Sequence, residues 1–444
     1  MTCVAAILAV TALIGGRSYE VAGDMLVNHP DYVVYVPRNS QGGKGVTLPL
    51  KALRQRSDTY NDHFQVIYDE KRALLYAFWT QATSEGNVDH HIAFAKSSDK
   101  GLSWTEPVVL AGSECRAYPK LAASWQQPML TKSGRLYCLW NQQTASRQKS
   151  CTMLYGQMFG LYSDDAGETW EGLQQVPMER MDKDSAEPGV NPCWCNWQRP
   201  LRLGEGGKFF VGCTRFGQAP YEKRFGSKVE FWQFENIDDD PPIGQIRVSY
   251  FAKNRDMLSP LTMQAVPGVK CFEPAGNEGT AAEEASVVKL PDGRLFALMR
   301  SSVGCPIWSQ SRDHGQTWSK VKPLLDAAGK SFPHPRSPCP IYDWKGTEAG
   351  SGLYFAFVHM TFDMNGKTAY QTRGPLYLIA GRFDPKGDQP IRFAEPKLFA
   401  PRKLGNCFYT SYTVIDGQGV LWFPDRKYYL LGRKIGADWM KGVL

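Results

Sequence analysis

The chain has 444 residues, of which 12% are aromatic and 42 are glycine, and its formal net charge is +7. Its lysines and arginines are spread along the sequence, which argues against a nucleic-acid-binding surface, because such surfaces cluster basic residues. The length would allow about three domains, but no Ser/Gly tract, charge block or low-complexity stretch divides the chain. We therefore predict a single domain over residues 21–444, built from short strands and tight turns.

The first residues allow two interpretations. Residues 4–14 (VAAILAVTALI) are apolar and are followed by two glycines, and the run is too short to cross a bilayer. It resembles the apolar core of a secretory signal, although no Lys or Arg precedes it. Residues 1–20 are accordingly predicted to be a signal peptide or a first β-strand. We favour a secreted or periplasmic protein, and a cytoplasmic location stays open.

The eleven cysteines do not decide the compartment. Removal of Cys3 with a signal would leave an even number, which permits disulfide pairing without showing it. Cys193 and Cys195 are separated by one residue, and no second CxxC or His pair completes a zinc site. We predict no cofactor and no structural metal.

A turn rich in Gly, Asp or Lys, followed by a strand of alternating aromatic and aliphatic residues, occurs six times. These segments span residues 69–79, 132–140, 204–215, 291–300, 350–360 and 416–426. Their spacing fits a four-stranded sheet with its loops, and helical periodicity is weak. With further strand-like sequence at residues 31–37, they predict an all-β fold, a β-propeller of six or seven blades. The sequence does not indicate an axial calcium ion, which such a fold could hold.

An eight-residue phrase, Ser-x-Asp-x-Gly-x-Ser/Thr-Trp, occurs three times, at Ser97–Trp104, Ser163–Trp170 and Ser311–Trp318. Each copy follows a run that resembles a strand. Asp bonds nearby backbone amides and Gly accepts positive φ, so each phrase predicts a tight turn. We expect the closing Trp to pack against the hairpin just formed.

These phrases resemble the Asp-boxes that the sialidase superfamily carries at its blade turns, and the resemblance extends over about residues 60–430. The segment EEASVVKLPDGRLFALMR, from Glu283 to Arg300, is similar to the one that supplies a Glu to activate a Tyr nucleophile and then a substrate-binding Arg. The resemblance therefore implies Glu284, or Glu283, in the first role and Arg300 in the second.

The same resemblance implies further site residues near the C-terminus. Arg373, before the strand PLYLIAG, is similar to another member of the family's arginine triad. Tyr409 or Tyr412, in CFYTSYT, stands where the family places its Tyr. The two tyrosines are three positions apart, so a regular strand would send them to opposite faces and one of them should serve.

At one place the sequence departs from that family. Sialidases open their first catalytic blade with Arg-Ile-Pro, whose Arg completes the triad, and the matching place here is Asn61-Asp62-His63-Phe64. The family's catalytic Asp has no clear counterpart in residues 86–91. A carboxylate held by three guanidinium groups depends on bidentate contacts, so losing one weakens the case for a sialic-acid enzyme. His63 becomes the candidate proton-transfer group, because His exchanges protons near neutral pH.

Further candidates for substrate binding are Trp197, Arg199, Arg215, His90 and His334. A Trp face can stack on a sugar ring, and Arg can hold a carboxylate bidentately; a Trp-lined blade core with surface arginines is the structural alternative. His90 and its neighbour His91 point to opposite faces of a strand, so at most one reaches the centre. His334 lies in a loop fixed by prolines.

Three functions stay open. A polysaccharide lyase, which the residues favour, would cleave a uronate by β-elimination, with His63 as base, Tyr409 or Tyr412 as acid and arginines on the carboxylate. This set resembles propeller lyases such as ulvan and rhamnose–glucuronate lyases. A sialidase-type exo-hydrolase with a Tyr nucleophile is the second function, and a non-catalytic glycan-binding propeller is the third. All three predict a monomer with an acidic oligo- or polysaccharide as partner, and neither nucleic acid nor a membrane span.

Overall fold

The computed structural model describes residues 10–14, 17–21, 30–37, 58–112, 121–144, 154–217, 226–269, 281–360, 373, 375–400 and 409–444. The strands that precede the first blade are β1 (Val10–Ile14), β2 (Arg17–Val21) and β3 (Tyr32–Tyr35). β1 and β2 pair with each other in antiparallel fashion.

Six antiparallel sheets follow and form the blades of a β-propeller. Blade 1 contains β4 (Tyr60–Asp69), β5 (Leu74–Ala82), β6 (His91–Ser97) and β8 (Val108–Gly112), while β7 (Ser103–Trp104) pairs with β1. Blade 2 contains β9 (Ala123–Leu130), β10 (Leu136–Gln142), β11 (Gln157–Ser163) and β12 (Glu171–Gln175). Blade 3 contains β13 (Trp194–Cys195), β14 (Phe209–Phe216), β15 (Ser227–Phe234) and β16 (Val248–Phe251).

Blades 4 to 6 continue the pattern. Blade 4 contains β17 (Ala282–Lys289), β18 (Leu295–Ser301), β19 (Ile307–Ser311) and β20 (Lys322–Pro323). Blade 5 contains β21 (Ile341–Asp343), β22 (Leu353–Val358), β23 (Leu376–Phe383), β24 (Ile391–Phe393) and β25 (Lys397–Ala400). Blade 6 contains β26 (Ser411–Ile415), β27 (Gln418–Asp425), β28 (Tyr429–Lys434) and β3.

Helical structure in the described residues is short. The 3-10 turns span Glu205–Gly207, Ile237–Asp239, Ile243–Gln245, Asn254–Asp256 and Pro260–Thr262, and α1 spans Ala437–Met440. No helix in this part of the chain is long and apolar enough to cross a membrane.

The six repeated strands predicted from the sequence are the second strands of the six blades, β5, β10, β14, β18, β22 and β27. The predicted propeller is confirmed, and the blade number is six. Residues 31–37, which left a seventh blade open, instead supply β3, which pairs with β28 at the edge of blade 6. A strand from the N-terminal part of the chain and strands from its C-terminal part therefore pair in one sheet, which closes the ring.

The three eight-residue phrases form nearly identical turns after the third strands of blades 1, 2 and 4. In the first, the Asp99 carboxylate accepts the Ser103 N–H at 2.8 Å, and Ser97 Oγ accepts the N–H of Gly101 at 2.9 Å. Gly101 has φ +94°. The carboxylates of Asp165 and Asp313 make the same bonds in the other copies.

The closing tryptophans make more contacts than expected: Trp104 and Trp318 bond to the Gly101 and Gly315 carbonyl oxygens of their own turns, and all three reach a neighbouring blade. Each contacts aromatic rings of the preceding blade, so these turns connect blades as well as close hairpins. Trp318 of blade 4 stacks on Phe231 of blade 3, with ring centroids 3.9 Å apart and planes 11° apart. Trp170 of blade 2 lies 5.2 Å from Phe94 of blade 1. Trp104 of blade 1 meets Trp422 of blade 6 at 5.8 Å.

Candidate active site

The first strands of three blades each carry a β-bulge near their beginning, and the bulges aim side chains towards the axis. His63 on β4, Trp125 on β9 and Glu284 on β17 have positive φ, at 54°, 63° and 52°. The pairing of each strand with its neighbour shifts at that place. A bulge bends its strand and redirects a side chain, and positive φ is strained for a residue with a Cβ. Three strained positions at one level of the ring mark a candidate site.

Tyr409 and Glu284 meet at this level from blades 6 and 4. Tyr409 Oη donates a hydrogen bond to Glu284 Oε1 at 2.7 Å, and Arg300 Nη1 donates to Glu284 Oε2 at 2.9 Å. Burial raises the pKa of Tyr409 well above its ordinary value, and the charge of Glu284 raises it further. The phenol is therefore neutral at pH 7, with a carboxylate placed to accept its proton.

The carboxylate of Glu283 lies beside the Tyr409–Glu284 pair and forms ion pairs with two arginines. Glu283 Oε2 lies 3.0 Å from Arg300 Nε and 3.1 Å from Arg336 Nε, and Ser227 Oγ donates to Glu283 Oε1 at 2.6 Å. Burial alone would raise the pKa of Glu283, but the two guanidinium groups outweigh it and lower the pKa to about 2. Arg373, which is half-buried, donates from Nη2 to the Arg336 carbonyl oxygen at 3.2 Å. We call Tyr409, Glu284, Glu283, Arg300, Arg336 and Arg373 the Tyr409 cluster.

His63 lies against this cluster in an apolar setting. Its ring stacks on Trp125, with centroids 3.6 Å apart, and meets the Tyr409 ring edge-on at 4.9 Å. Neither ring nitrogen has a hydrogen-bond partner in the described part of the chain, and Nε2 lies 3.7 Å from Asp62 Oδ2. Burial lowers the pKa of His63 well below its ordinary value, so the ring is neutral at pH 7.

A charged group that sequence reasoning missed borders the cluster on the blade 1 side. Lys427 Nζ lies 2.9 Å from both Asp62 Oδ2 and Glu85 Oε1, and 5.1 Å from the centre of the Tyr409 ring. Burial raises the pKa of Asp62 to about 6, although Lys427 opposes it. The Glu85 side chain is 56% exposed, so this group connects the buried cluster to solvent.

Trp197 completes the surroundings of Tyr409. Its ring lies 6.1 Å from the Tyr409 ring, and its Nε1 donates to the Glu284 carbonyl oxygen at 3.1 Å. Trp197 is 1% exposed. The structure thus brings together Tyr409, Glu284, Arg300, Arg373, His63 and Trp197 from the candidates of the sequence.

His90 and His334 lie next to this site as members of buried hydrogen-bond networks. His90 Nδ1 lies 2.9 Å from Ser124 Oγ, and His334 Nδ1 accepts the His359 N–H at 3.0 Å. Burial lowers the pKa of both rings to about 4. His334 Nε2 also lies 2.9 Å from the Ser337 carbonyl oxygen. Both histidines are neutral at pH 7 and hold the backbone around the site.

The other candidates lie outside the cluster. Arg215 is fully buried in blade 3, where its Nε lies 2.7 Å from Glu230 Oε1 and its Nη1 lies 3.6 Å from Asp184 Oδ2. Arg215 therefore forms a structural ion pair with Glu230, because neither side chain is exposed to solvent. Tyr412 donates to the Trp344 carbonyl oxygen at 2.7 Å, so of the two tyrosines Tyr409 alone meets Glu284. Arg199 lines a different cavity, farther along the axis.

The fold has solved counterparts. Residues 73–225 match the family described as BNR repeat-like domain. A mutant of the NanB sialidase from Streptococcus pneumoniae superposes with a TM-score of 0.57 at 12% identity, over 91% of this chain and 70% of that one. The intramolecular trans-sialidase from Ruminococcus gnavus gives 0.57 at 14% identity, over 87% and 96%. The fold is that of the sialidase propellers.

A protein of unknown function from Dyadobacter fermentans shares this sialidase fold equally well, with a TM-score of 0.57 at 12% identity, over 91% of this chain and 97% of that one. No curated protein matches the sequence. At such identities the likeness shows the fold alone, so a function has to come from the cluster itself. Within the described residues, no group of three or more His, Cys, Asp or Glu could hold a metal ion.

The residues missed from the sequence share a reason. Asp62 stands next to His63, Glu85 precedes residues 86–91, and Lys427 follows a strand at the ring closure. Their proximity depends on how blades 1 and 6 meet. One signal was available: Asp425, Arg426 and Lys427 are three adjacent charges directly after the apolar run VLWFP.

Proposed function

We propose that the protein is a carbohydrate-active enzyme that hydrolyses the bond to a terminal acidic sugar, with Tyr409 as nucleophile. The observation that carries this proposal is the 2.7 Å hydrogen bond from Tyr409 Oη to Glu284 Oε1. A phenol is a weak nucleophile until a base takes its proton. Glu284 is in place for that, and Arg300 at 2.9 Å fixes the orientation of its carboxylate.

The charge pattern around Tyr409 suits an anionic substrate. A neutral phenol approaches a sugar that carries a carboxylate without the repulsion that a carboxylate nucleophile would meet. Arg300 and Arg373 lie beside the pair, and the charges of both lower the pKa of Tyr409, although burial and Glu284 outweigh them. The same guanidinium groups are the natural partners for the substrate carboxylate.

The leaving oxygen requires a proton, and the Asp62–Lys427–Glu85 group can supply it. Asp62, with a pKa of about 6, keeps its proton more readily than an ordinary carboxyl. Glu85 lies on the same ammonium group and reaches solvent. We assign the proton transfer to this group, since an acid with a pKa near the working pH is the most effective donor.

A second candidate reaction is supported by His63. Its neutral ring lies 4.9 Å from the Tyr409 ring, and its nitrogens have no partner in the described residues. A neutral His is a competent base for the C5 proton of a uronate, and Tyr409 could then protonate the leaving oxygen. This is β-elimination, the reaction of a lyase. We place it second because nothing in the described chain orients the His63 ring by a hydrogen bond, whereas two hydrogen bonds orient Glu284.

Product mass separates the two reactions. The protein is incubated with a panel of glycans ending in sialate or uronate, and the products are weighed by mass spectrometry. Hydrolysis adds one water across the cleaved bond, while elimination leaves a product lighter by one water and absorbing in the ultraviolet. We expect the heavier product.

Two variants tie the product to a mechanism. Glu284→Gln should abolish hydrolysis and His63→Asn should largely spare it; the opposite ranking, together with an unsaturated product, would establish the lyase. Binding to an acidic glycan with no product over days would contradict both enzymes and leave a glycan-binding propeller.

A further inference from the structure

A cavity of about 70 Å³ lies on the propeller axis beyond the Tyr409 cluster. Residues from five blades line it, among them Gln65, Gln198, Arg199, Lys289, Ile341 and Tyr412. Lys289 stands five positions after Glu284 on β17, which at about 3.3 Å per residue is roughly 16 Å farther along the strand. We call this space the axial cavity; it is distinct from the Tyr409 cluster.

Arg199 contributes a half-buried charge without a direct ion-pair partner to the axial cavity. Its backbone N–H donates to Gln65 Oε1 at 3.1 Å. Its guanidinium group makes no hydrogen bond and no ion pair with any described residue. Burial lowers the pKa of Arg199, although Glu348 at the edge of the cavity opposes it. The Arg199 side chain is half-buried, and a guanidinium group that bonds to no protein group has its donors available for an anion in the cavity.

Three other arginines of the propeller are each paired with a carboxylate. Arg215 pairs with Glu230 at 2.7 Å, and Arg300 pairs with Glu284 at 2.9 Å. Arg336 is paired with Glu283. Arg199 has no such ion pair, and it lines the open space of the axial cavity.

Two further donors face the same space. Gln198 is 4% exposed, and its Nε2 has no hydrogen-bond partner in the described residues. Its Oε1 accepts the Val287 N–H at 3.0 Å, which fixes the amide so that Nε2 is the free end. Lys289 adds a half-buried ammonium group that forms no ion pair with the described chain. Arg, amide and ammonium donors therefore line the same space.

Two carboxylates, those of Asp343 and Glu348, also line the cavity, and neither bonds to Arg199. Asp343 accepts the backbone N–H groups of Lys345 at 2.9 Å and Ser351 at 2.6 Å. Val287 and Ile341 supply apolar surface on the opposite side. A space of about 70 Å³ is several times the roughly 10–15 Å³ that one water requires. Its size and mixed lining suit a small organic ion better than a single water molecule.

We propose that the axial cavity binds a small organic carboxylate, with the planar Arg199 guanidinium group on the carboxylate, Gln198 Nε2 and Lys289 as additional donors, and the carbon body against the apolar wall. Guanidinium and carboxylate match as a bidentate pair. Hydrophobic lining with a few convergent polar groups is typical of small-molecule sites. The inference does not depend on the reaction proposed for the Tyr409 cluster.

Calorimetric titration of the full chain tests the proposal with acetate, glucuronate, neutral glucose and inorganic phosphate. We expect at least one carboxylate to bind and glucose not to bind. Arg199→Gln should weaken the carboxylate at least about tenfold, the loss of one charge-assisted contact. Arg255→Gln is the matched control, since that arginine is in the same blade and its side chain is 93% exposed; its affinity should equal that of the wild type.

Several results would overturn the proposal. Phosphate binding more tightly than every carboxylate would refute the ligand class. Absence of binding to the wild type, or unchanged affinity in Arg199→Gln, would refute the site. Loss of binding in Tyr409→Phe would place the ligand in the Tyr409 cluster instead. If Arg199→Gln does not fold, Arg199→Lys replaces it, and affinity equal to the wild type would again contradict a guanidinium-specific contact.

Discussion

At the end of the axis that carries Tyr409, Arg300 and Arg336 bond directly to carboxylates. In the axial cavity, Arg199 bonds to none, although Glu348 lines the same space and acts on it at a distance. Arg300 and Arg336 share Glu283, and Arg300 also reaches Glu284. Arg199 has open space of about 70 Å³ before it. Arg300 and Arg336 are thus paired within the protein, and Arg199 is not.

The comparison shows two roles of arginine in this protein. In the Tyr409 cluster the arginines orient protein carboxylates, so their first task is to hold Glu284 against Tyr409 Oη. In the axial cavity, the positive charge of Arg199 is available to a ligand. Mutations at the two ends should therefore have opposite consequences: loss of activity or stability at the first, and loss of binding without loss of stability at the second.

The largest effect is expected from Glu284→Gln. The amide keeps the shape of the side chain but cannot take the Tyr409 proton, so kcat should fall by about a thousandfold, within the range of general base catalysis. Product release from the best glycan of the panel measures it. Glu205→Gln, on an exposed turn of blade 3, is the control. Activity within tenfold of the wild type would show that Glu284 only orients its neighbours.

Glu283→Gln should chiefly reduce stability. It leaves Arg336 buried without its carboxylate, and breaking such a pair costs about 3–5 kcal/mol. The pKa of Glu283 is lowered to about 2 from 4.5, so its stabilisation is fully present above pH 4.5 and is lost as the pH falls towards 2. Urea unfolding should show the gap to the wild type narrowing in that range. A gap that is constant with pH would contradict the ion pairing.

Much of the fold followed from the sequence because its signals are local. The repeated turn and strand patterns gave the second strand of each blade, and the Asp and Gly of each eight-residue phrase suffice for its turn. The additional aromatic partner of each closing Trp could not be predicted, because it belongs to another blade. Trp318 stacks on Phe231, and no pattern within either segment reports that contact.

Asp62→Asn should change stability with the opposite pH sign from Glu283. The pKa of Asp62 is raised from 3.8 to about 6, so its stabilisation is present below pH 3.8 and is lost as the pH rises through 6. A shift of this size corresponds to about 3 kcal/mol. From pH 4 to pH 7 the wild type should lose about that much relative to Asp62→Asn in urea unfolding. An unchanged difference between the two proteins would mean that Lys427 fully compensates the buried charge.

The smallest effect is expected in the axial cavity. Arg199→Met removes a half-buried charge that bonds to no described residue, so the free energy of unfolding without ligand should change by less than about 1 kcal/mol. Arg215→Met, in the same blade, breaks the pair with Glu230 and should cost about 3–5 kcal/mol. Equal losses in the two variants would erase the distinction between the paired and the unpaired arginine.

The candidate site was only partly predictable for a related reason. Tyr409, Glu284, Arg300 and Arg373 carry a recognisable pattern along the chain. The structure places these four side chains near one another, and their roles remain proposals. Arg215 looked equivalent to Arg199 in the sequence, because its pairing with Glu230 lies across two strands and is visible only after folding.

The central claim is that Tyr409 and Glu284 carry the chemistry, and Tyr409→Phe tests it most directly. The matched control is Tyr137→Phe, a buried tyrosine of blade 2 whose hydroxyl donates to the Pro241 carbonyl oxygen. Product formation from the acidic glycan panel should fall to background in Tyr409→Phe and stay near the wild-type rate in Tyr137→Phe, with both proteins folded. Turnover by Tyr409→Phe within tenfold of the wild type would contradict the account.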